Sequence, residues 1–306
     1  MSYEKDVAIK VAWKYYNEGL TQTEIAEALN LSRMKVIKYL EIAKNNNIIQ
    51  FKINIDQVSD PNLQSKLLEK YNLDDVYIVP SSIEDNIDSV TIAAAQYIED
   101  RVTNDTMISI GYGEAVSKTL GHLSISAKYK VAFVSLTGGV KFYMPTAIDQ
   151  SSDYYTNPNY SHYIIPSPLI VNSEGLATNL RNEKSIKSIL EMVPYSNLTV
   201  IGIGALNNRA TLVKEGLLSI KDIEIFKSQG AVGDLLNHFY DINGNTLDLG
   251  LHDRLISTDI KLLKSLNHVV AVAGGLEKKE AIIGALKGGY INVLITDENI
   301  AYSLLE

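Results

Sequence analysis

The stretch TMISIGYGEAVSKTL (Thr106–Leu120) decides how the bulk of this chain folds. A short run rich in apolar residues, Thr106–Ile110, ends in Gly111-Tyr112-Gly113 and passes straight into a helical pattern over Glu114–Leu123. Such a run, bounded by glycine, is the mark of a strand buried on both faces. The same unit recurs in KVAFVSLTGG (Lys130–Gly139), SNLTVIGIGA (Ser196–Ala205) and HVVAVAGG (His268–Gly275). DDVYIVP (Asp74–Pro80) and YINVLITD (Tyr290–Asp297) read as further buried strands. Helical patterns over Asn62–Lys70, Ser89–Val102, Ser219–Gln229 and Lys278–Leu286 lie between them, with Val90, Ala94 and Ile98 on one inward face. Strands alternating with amphipathic helices predict an α/β fold with a mostly parallel, Rossmann-like sheet covered on both sides.

Four of these strands end in glycine: Gly111-Tyr112-Gly113, Thr137-Gly138-Gly139, Gly202-Ile203-Gly204 and Gly274-Gly275. Ligands of open parallel sheets bind beyond the carboxyl ends of the strands. Glycine there lets backbone approach an anion, and the next helix offers N–H groups and the positive end of its dipole. Four such turns in register point to a phosphate- or hydroxyl-rich ligand; plain turn chemistry is the alternative. GYGEAV is not a dinucleotide fingerprint, because Val116 stands where the third glycine belongs. No phosphate loop of the Gly-x-x-x-x-Gly-Lys type and no nucleophile elbow occurs. The five histidines (His122, His162, His238, His252 and His268) have no metal-ligand spacing. No cofactor or metal is expected.

Ahead of this body lies a different pattern. Val7, Val11 and Tyr15, with Ile9 and Ala12, recur at helical spacing over Tyr3–Glu18, and Gly19 ends the helix. Thr21 and Glu24 form a capping box that starts a second helix, with Ile25, Ala26 and Leu29 inward. Asn30-Leu31 make a turn, and Ser32 caps a third helix carrying Val36, Ile37, Leu40 and Ala43. IIQFKINI (Ile48–Ile55) then alternates like a strand. The order predicts a winged helix-turn-helix over residues 1–55. Thr21, Gln22, Ser32, Arg33, Lys35 and Lys38 are its candidate DNA contacts, because hydroxyls, helix-start N–H groups and cationic side chains bind phosphate and guanine edges. A helical hairpin used only for oligomerisation is the competing explanation.

Net charge is −8, but residues 1–52 carry eight Lys/Arg and six Asp/Glu, so a +2 head sits on a −10 remainder. That asymmetry directs the head, not the body, to a polyanion. The chain has no cysteine, which excludes disulfides and thiol chemistry and fits a reducing cytoplasm. No apolar run reaches the roughly 18 residues of a membrane span, and the start is no signal peptide.

Several blocks together resemble the SorC (SorC/DeoR-type) family of bacterial sugar-binding transcription regulators. They are EIAEALNLSRMKVIKYLEIAKNNNII (Glu24–Ile49), GAVGDLLNHFYDINGN (Gly230–Asn245), LHDRLI (Leu251–Ile256) and the stretch Val269–Leu305. The resemblance implies a non-enzymatic body over residues 56–306, folded like the sugar-phosphate isomerases, which binds a phosphorylated sugar or polyol. It implies a cytoplasmic homo-oligomer, usually a tetramer, bound to operator DNA. By motif position Gly111 and Gly113 frame one phosphate-facing turn, and Thr137, Gly138 and Gly139 another. Asp234 would accept sugar hydroxyls, and Lys278, after Gly274-Gly275, would meet the phosphate.

Each assignment has a plainer counterpart. Asp234 reads equally as a helix cap, and Lys278 as a solvated helix charge. Arg254 either pairs with a carboxylate or lines the site, and Lys141 either reaches a ligand carbonyl or phosphate or is a surface cation. Glu114 departs from the family pattern, since a carboxylate beside Gly113 repels phosphate. Met34 and Lys35 replace the usual Pro-Thr pair, so no operator sequence carries over. The tyrosine-rich Ser151–Pro168 is a sugar-stacking lid, a subunit contact or a loop packed by its own rings. The rival function is a sugar-phosphate isomerase-like enzyme with an accessory helical head.

Overall fold

The computed structural model describes residues 3–45, 48–49, 61–81, 87–125, 128–144 and 152–306. The chain forms two compact units, Met1–Ile53 and Asn54–Glu306.

Among the described residues, the first unit is a three-helix cluster. Helix α1 (Tyr3–Ala12) runs into a π-helical turn, Trp13–Asn17, and Gly19 follows with φ +71°. The wider π turn rotates the side chains off a strict 3.6 period. Ala8, Val11 and Ala12 are buried, whereas Ile9, expected inward, is exposed. Helix α2 (Gln22–Ala28) starts on the expected capping box, in which the Thr21 hydroxyl accepts the Glu24 N–H and the Thr21 N–H donates to the Glu24 carboxylate. Asn30 takes the left-handed turn at φ +52°. Helix α3 (Arg33–Asn45) is capped by the Ser32 hydroxyl, which accepts the Lys35 N–H at 3.3 Å. Ile25, Ala26, Val36, Tyr39, Leu40 and Ala43 close the core. The expected wing, Ile48–Ile55, lies from Gln50 onward outside the described residues.

Among the described residues, the second unit is built on a seven-stranded, wholly parallel sheet. Its strands are β1 (Asp75–Val79), β2 (Thr106–Ile110), β3 (Val131–Ser135), β4 (Tyr160–Tyr163), β5 (Leu198–Gly202), β9 (Val269–Val272) and β10 (Val293–Asp297). They stand in the order β1-β10-β9-β5-β2-β3-β4. A small antiparallel sheet, β6 (Gly204–Ala205), β7 (Gly233–Leu235) and β8 (His238–Tyr240), sits apart from it.

Side-chain alternation divides the core. Ile108, Ile110, Phe133, Val200, Val270 and Ile295 point to the face covered by α5 (Ile87–Glu99) and α6 (Glu114–His122). Val134, Ile201, Val269, Ala271 and Leu294 point to the face covered by α4 (Pro61–Tyr71) and the helices Lys279–Lys287 and Glu298–Ser303. Burial on both faces explains why these strands read as continuous apolar runs.

Strand β4 and the small sheet were not legible in advance. The described part of the tyrosine-rich segment holds a short helix, α7 (Asp153–Thr156), and then β4 on the sheet edge. Tyr154 and Tyr160 are buried, with ring centroids 4.9 Å and 5.3 Å from that of Phe133.

Candidate functional site

Going out from the centre of the sheet, β2, β3 and β4 follow one direction and β5, β9 and β10 the other. The chain therefore reverses between β2 and β5, and a crevice opens beyond their carboxyl ends, the usual ligand position in such sheets. The cleft found there is lined by Tyr112–Ala115 after β2, by residues 202–205 and Asn207 at the end of β5 and beyond, and by Gly274, Glu277 and Lys278 after β9. Asp234, Leu236, Asn237 and Phe239 of the small sheet line it too. Arg209, Thr211 and Lys214 complete its wall, the last two on the short helix Thr211–Lys214.

Of the residues singled out from sequence, Gly113, Glu114, Gly202, Gly204, Asp234, Gly274 and Lys278 meet in this cleft. Gly113 caps α6 at φ +123°, a conformation closed to side chains with a Cβ. Lys278 ends a tight 3₁₀ turn, Leu276–Lys278, and its N–H donates to the Gly275 carbonyl at 3.0 Å. Asp234 lies in β7, so it caps no helix. Its carboxylate accepts the Asn237 N–H at 3.2 Å. Burial pushes its carboxyl up to about 6, against the pull of that N–H and of the Lys278 charge.

The other glycines fall outside the lining. Gly111 donates its N–H to the Val200 carbonyl, and Gly275 donates to the Asp297 carboxylate. The N–H groups of Gly138 and Gly139 go to the carbonyls of Ile256 and Ser167, and the Thr137 hydroxyl pairs with the Tyr143 hydroxyl at 3.0 Å. These donors are engaged within the protein, and β3 stands one strand away from the reversal.

Sequence reading passed over Asn207, Arg209, Thr211, Lys214 and Asn237. No motif flags them; they lie in two separate segments, 207–214 and the β7–β8 hairpin, that meet at the cleft. Glu114, the awkward carboxylate, is held by Lys214 at 3.2 Å and Lys118 at 3.6 Å. Burial opposes its ionisation, but the hydrogen bonds and charges of the two lysines together hold its carboxyl below the usual range. The cleft therefore does not present Glu114 as an uncompensated charge. Lys141 pairs with Glu215 at the surface, and the Arg254 guanidinium donates to the Gly250 carbonyl, outside the lining. Among the described residues no cluster of His, Asp or Glu suits a metal ion, and no helix is long and apolar enough to cross a membrane.

In the first unit, a shallow hollow is lined by Tyr15, residues 19–23 and Arg33. Arg33 donates to the Gln22 side chain at 3.3 Å, tying the start of α3 to the start of α2. The Thr21 hydroxyl is already committed to Glu24. Lys35 is exposed, and Lys38 pairs with Glu4 at 3.4 Å.

Comparison with known proteins agrees with this architecture. A family model described as "Putative sugar-binding domain" matches residues 56–306. The transcriptional regulator LsrR of Escherichia coli O139:H28 is 35% identical over 307 residues, which cover 99% of this chain and 95% of that protein. LsrR of Enterobacter sp. (strain 638) is 33% identical over 308 residues, covering 99% and 93%. The full-length sorbitol operon regulator SorC from Klebsiella pneumoniae superposes with a TM-score of 0.73 at 21% identity, over the whole of both chains. That likeness speaks for the fold. A sugar-binding domain of a transcriptional repressor from Vibrio fischeri superposes with a TM-score of 0.71 at 26% identity, over 80% of this chain and 98% of that one.

Proposed function

This chain belongs to the SorC family of sugar-binding transcriptional regulators, and on that premise we propose that it controls a carbohydrate-utilisation operon in response to a phosphorylated sugar or polyol. It works in the cytoplasm as a homo-oligomer, a tetramer by family resemblance. Residues 1–55 bind operator DNA through a winged helix-turn-helix, and residues 56–306 bind the effector and hold the oligomer together. Paired heads then meet half-sites in successive major grooves of a palindromic operator. The α3 start supplies Ser32, Arg33, Lys35 and Lys38, while Thr21 and Gln22 sit at the α2 start near the DNA backbone.

One observation carries the effector reading. Lys278 and Asp234 line the same cleft at the chain reversal of the sheet. An ammonium beside the Gly274-Gly275 turn suits a phosphate, and a carboxylate suits sugar hydroxyls. Arg209 and Lys214 add positive charge to the same wall. The effector acts by binding one arrangement of the body better than another, and it shifts the equilibrium by that difference in affinity. The family is one of regulators, so an isomerase activity is not favoured.

Thermal unfolding against a panel of phosphorylated sugars and polyols, with the free sugars as controls, tests this reading. A compound bound to the native state raises the midpoint as its concentration rises. We expect such a rise with a phosphorylated compound, none with its free sugar, and a much weaker one in Lys278→Ala. A response to free sugars alone, or one indifferent to Lys278→Ala, would overturn the phosphate assignment.

A further inference from the structure

Asn237 stands at the tip of the hairpin joining β7 and β8. It lines the cleft yet is only 4% exposed, and its side-chain Nδ2 has no hydrogen-bond partner among the described residues. A buried amide N–H left unpaired destabilises the fold. The backbone carries a second cost at the same place. Leu236 and Asn237 take φ +51° and +66°. A two-residue hairpin of this kind favours Asn-Gly, and a bulky leucine at positive φ is an outlier. Strain and an unmet donor, both retained in the wall of a cleft, point to a ligand.

The partner of this tip identifies the chemistry. The Asp234 carboxylate accepts the Asn237 backbone N–H, which ties the hairpin tip to that carboxylate. Gly204 lets the carboxylate sit close, because a Cβ there would collide with it. A carboxylate acceptor and an amide donor thus line the same cleft. We propose that Asn237 is a specificity-determining effector ligand. Its Nδ2 donates to one oxygen of the bound compound while Asp234 accepts the proton of a neighbouring hydroxyl. The compound therefore carries two adjacent oxygens at the end away from its phosphate, as in a vicinal diol or a hydroxyketone. This inference rests on the effector reading above and goes further by assigning the hydroxyl-reading element.

The test compares the full-length protein with Asn237→Gly and Asn237→Asp. Glycine accepts the positive φ and removes the amide. Aspartate keeps the shape and replaces the donor with an acceptor. Binding is measured with D-ribose 5-phosphate, D-glucose 6-phosphate, D-fructose 6-phosphate and D-sorbitol 6-phosphate, and with inorganic phosphate alone. For any phosphorylated sugar or polyol that binds the parent, both variants should lose affinity by about tenfold or more, the scale of one hydrogen bond to ligand. Inorganic phosphate should bind parent and Asn237→Gly alike. Without ligand, Asn237→Gly should melt at the parent temperature or above it, which a merely structural asparagine would not do.

If a compound binds the parent and Asn237→Gly equally, this inference fails and the effector reading stands. If inorganic phosphate binding falls as well, Asn237 holds the phosphate and the hydroxyl assignment is overturned. If no phosphorylated compound binds the parent, the effector reading fails and this inference falls with it.

Discussion

At the scale of single residues, the cleft is defined by charge held at a cost. Asp234 titrates at about 6 in the folded protein, against an ordinary 3.8. Between those values the folded chain keeps a proton that the unfolded chain has released, so stability falls as pH rises from about 4 to about 6. The charged form above that window costs up to about 3 kcal/mol, at about 1.36 kcal/mol per tenfold in proton concentration. Asp234→Asn removes the cost. We expect the variant to melt above the parent at about pH 7 and level with it at about pH 4, in matched scans. An equal difference at both pH values would show that the carboxylate is not destabilising. Sequence pointed to Asp234 and Lys278 through their motif positions, but it was silent on Asn237. An unpaired amide is a property of surroundings, and no local pattern encodes it.

Among the elements, the legible ones were those whose side chains repeat. Helices α2 and α3 announced themselves through caps and apolar spacing, and the long strands through apolar runs. The two- and three-residue strands of the small sheet are too short for any period to show. Strand β4 was hidden for another reason: Ser161, His162 and Tyr163 are exposed, so no apolar alternation marks it. The capping box offers a direct check. Thr21→Ala leaves the first N–H groups of α2 without their side-chain partner, at a cost of about 1 kcal/mol. The chain has one tryptophan, Trp13, which lies in the same unit. Its fluorescence in a denaturant titration should show an earlier transition in Thr21→Ala, with weaker operator binding. An unmoved midpoint would mean the box contributes nothing to the helix.

At the level of the whole molecule, the uneven charge predicts the character of DNA binding. A +2 head on a −10 remainder leaves few cations to meet phosphates. Affinity for operator DNA should fall as salt rises, because each neutralised phosphate releases counterion. Lys35→Ala should lower the slope of log affinity against log salt by about one if the lysine meets a phosphate. Affinity that ignores salt would argue that the head binds protein instead. The effector and the operator are also linked: a compound that changes operator affinity must have its own affinity changed by operator DNA to the same factor. Isothermal titration with and without operator measures both.

What the sequence by itself determined were the features carried by neighbours along the chain. These are the caps and turns of α2 and α3, the runs that become parallel strands, and the glycines that end them. Each depends on propensity and periodicity within a few residues. Only the tertiary structure decided which glycine turns share a cleft. Strand order sets β9, β5 and β2 side by side. The turns after these three strands line the cleft, while the Thr137–Gly139 turn spends its donors on its own surroundings. Strand order is chosen by packing between segments some ninety residues apart, such as the Ile108–Leu198 register. The same packing set Lys214 against Glu114 and left the Asn237 Nδ2 without a hydrogen-bond partner among the described residues.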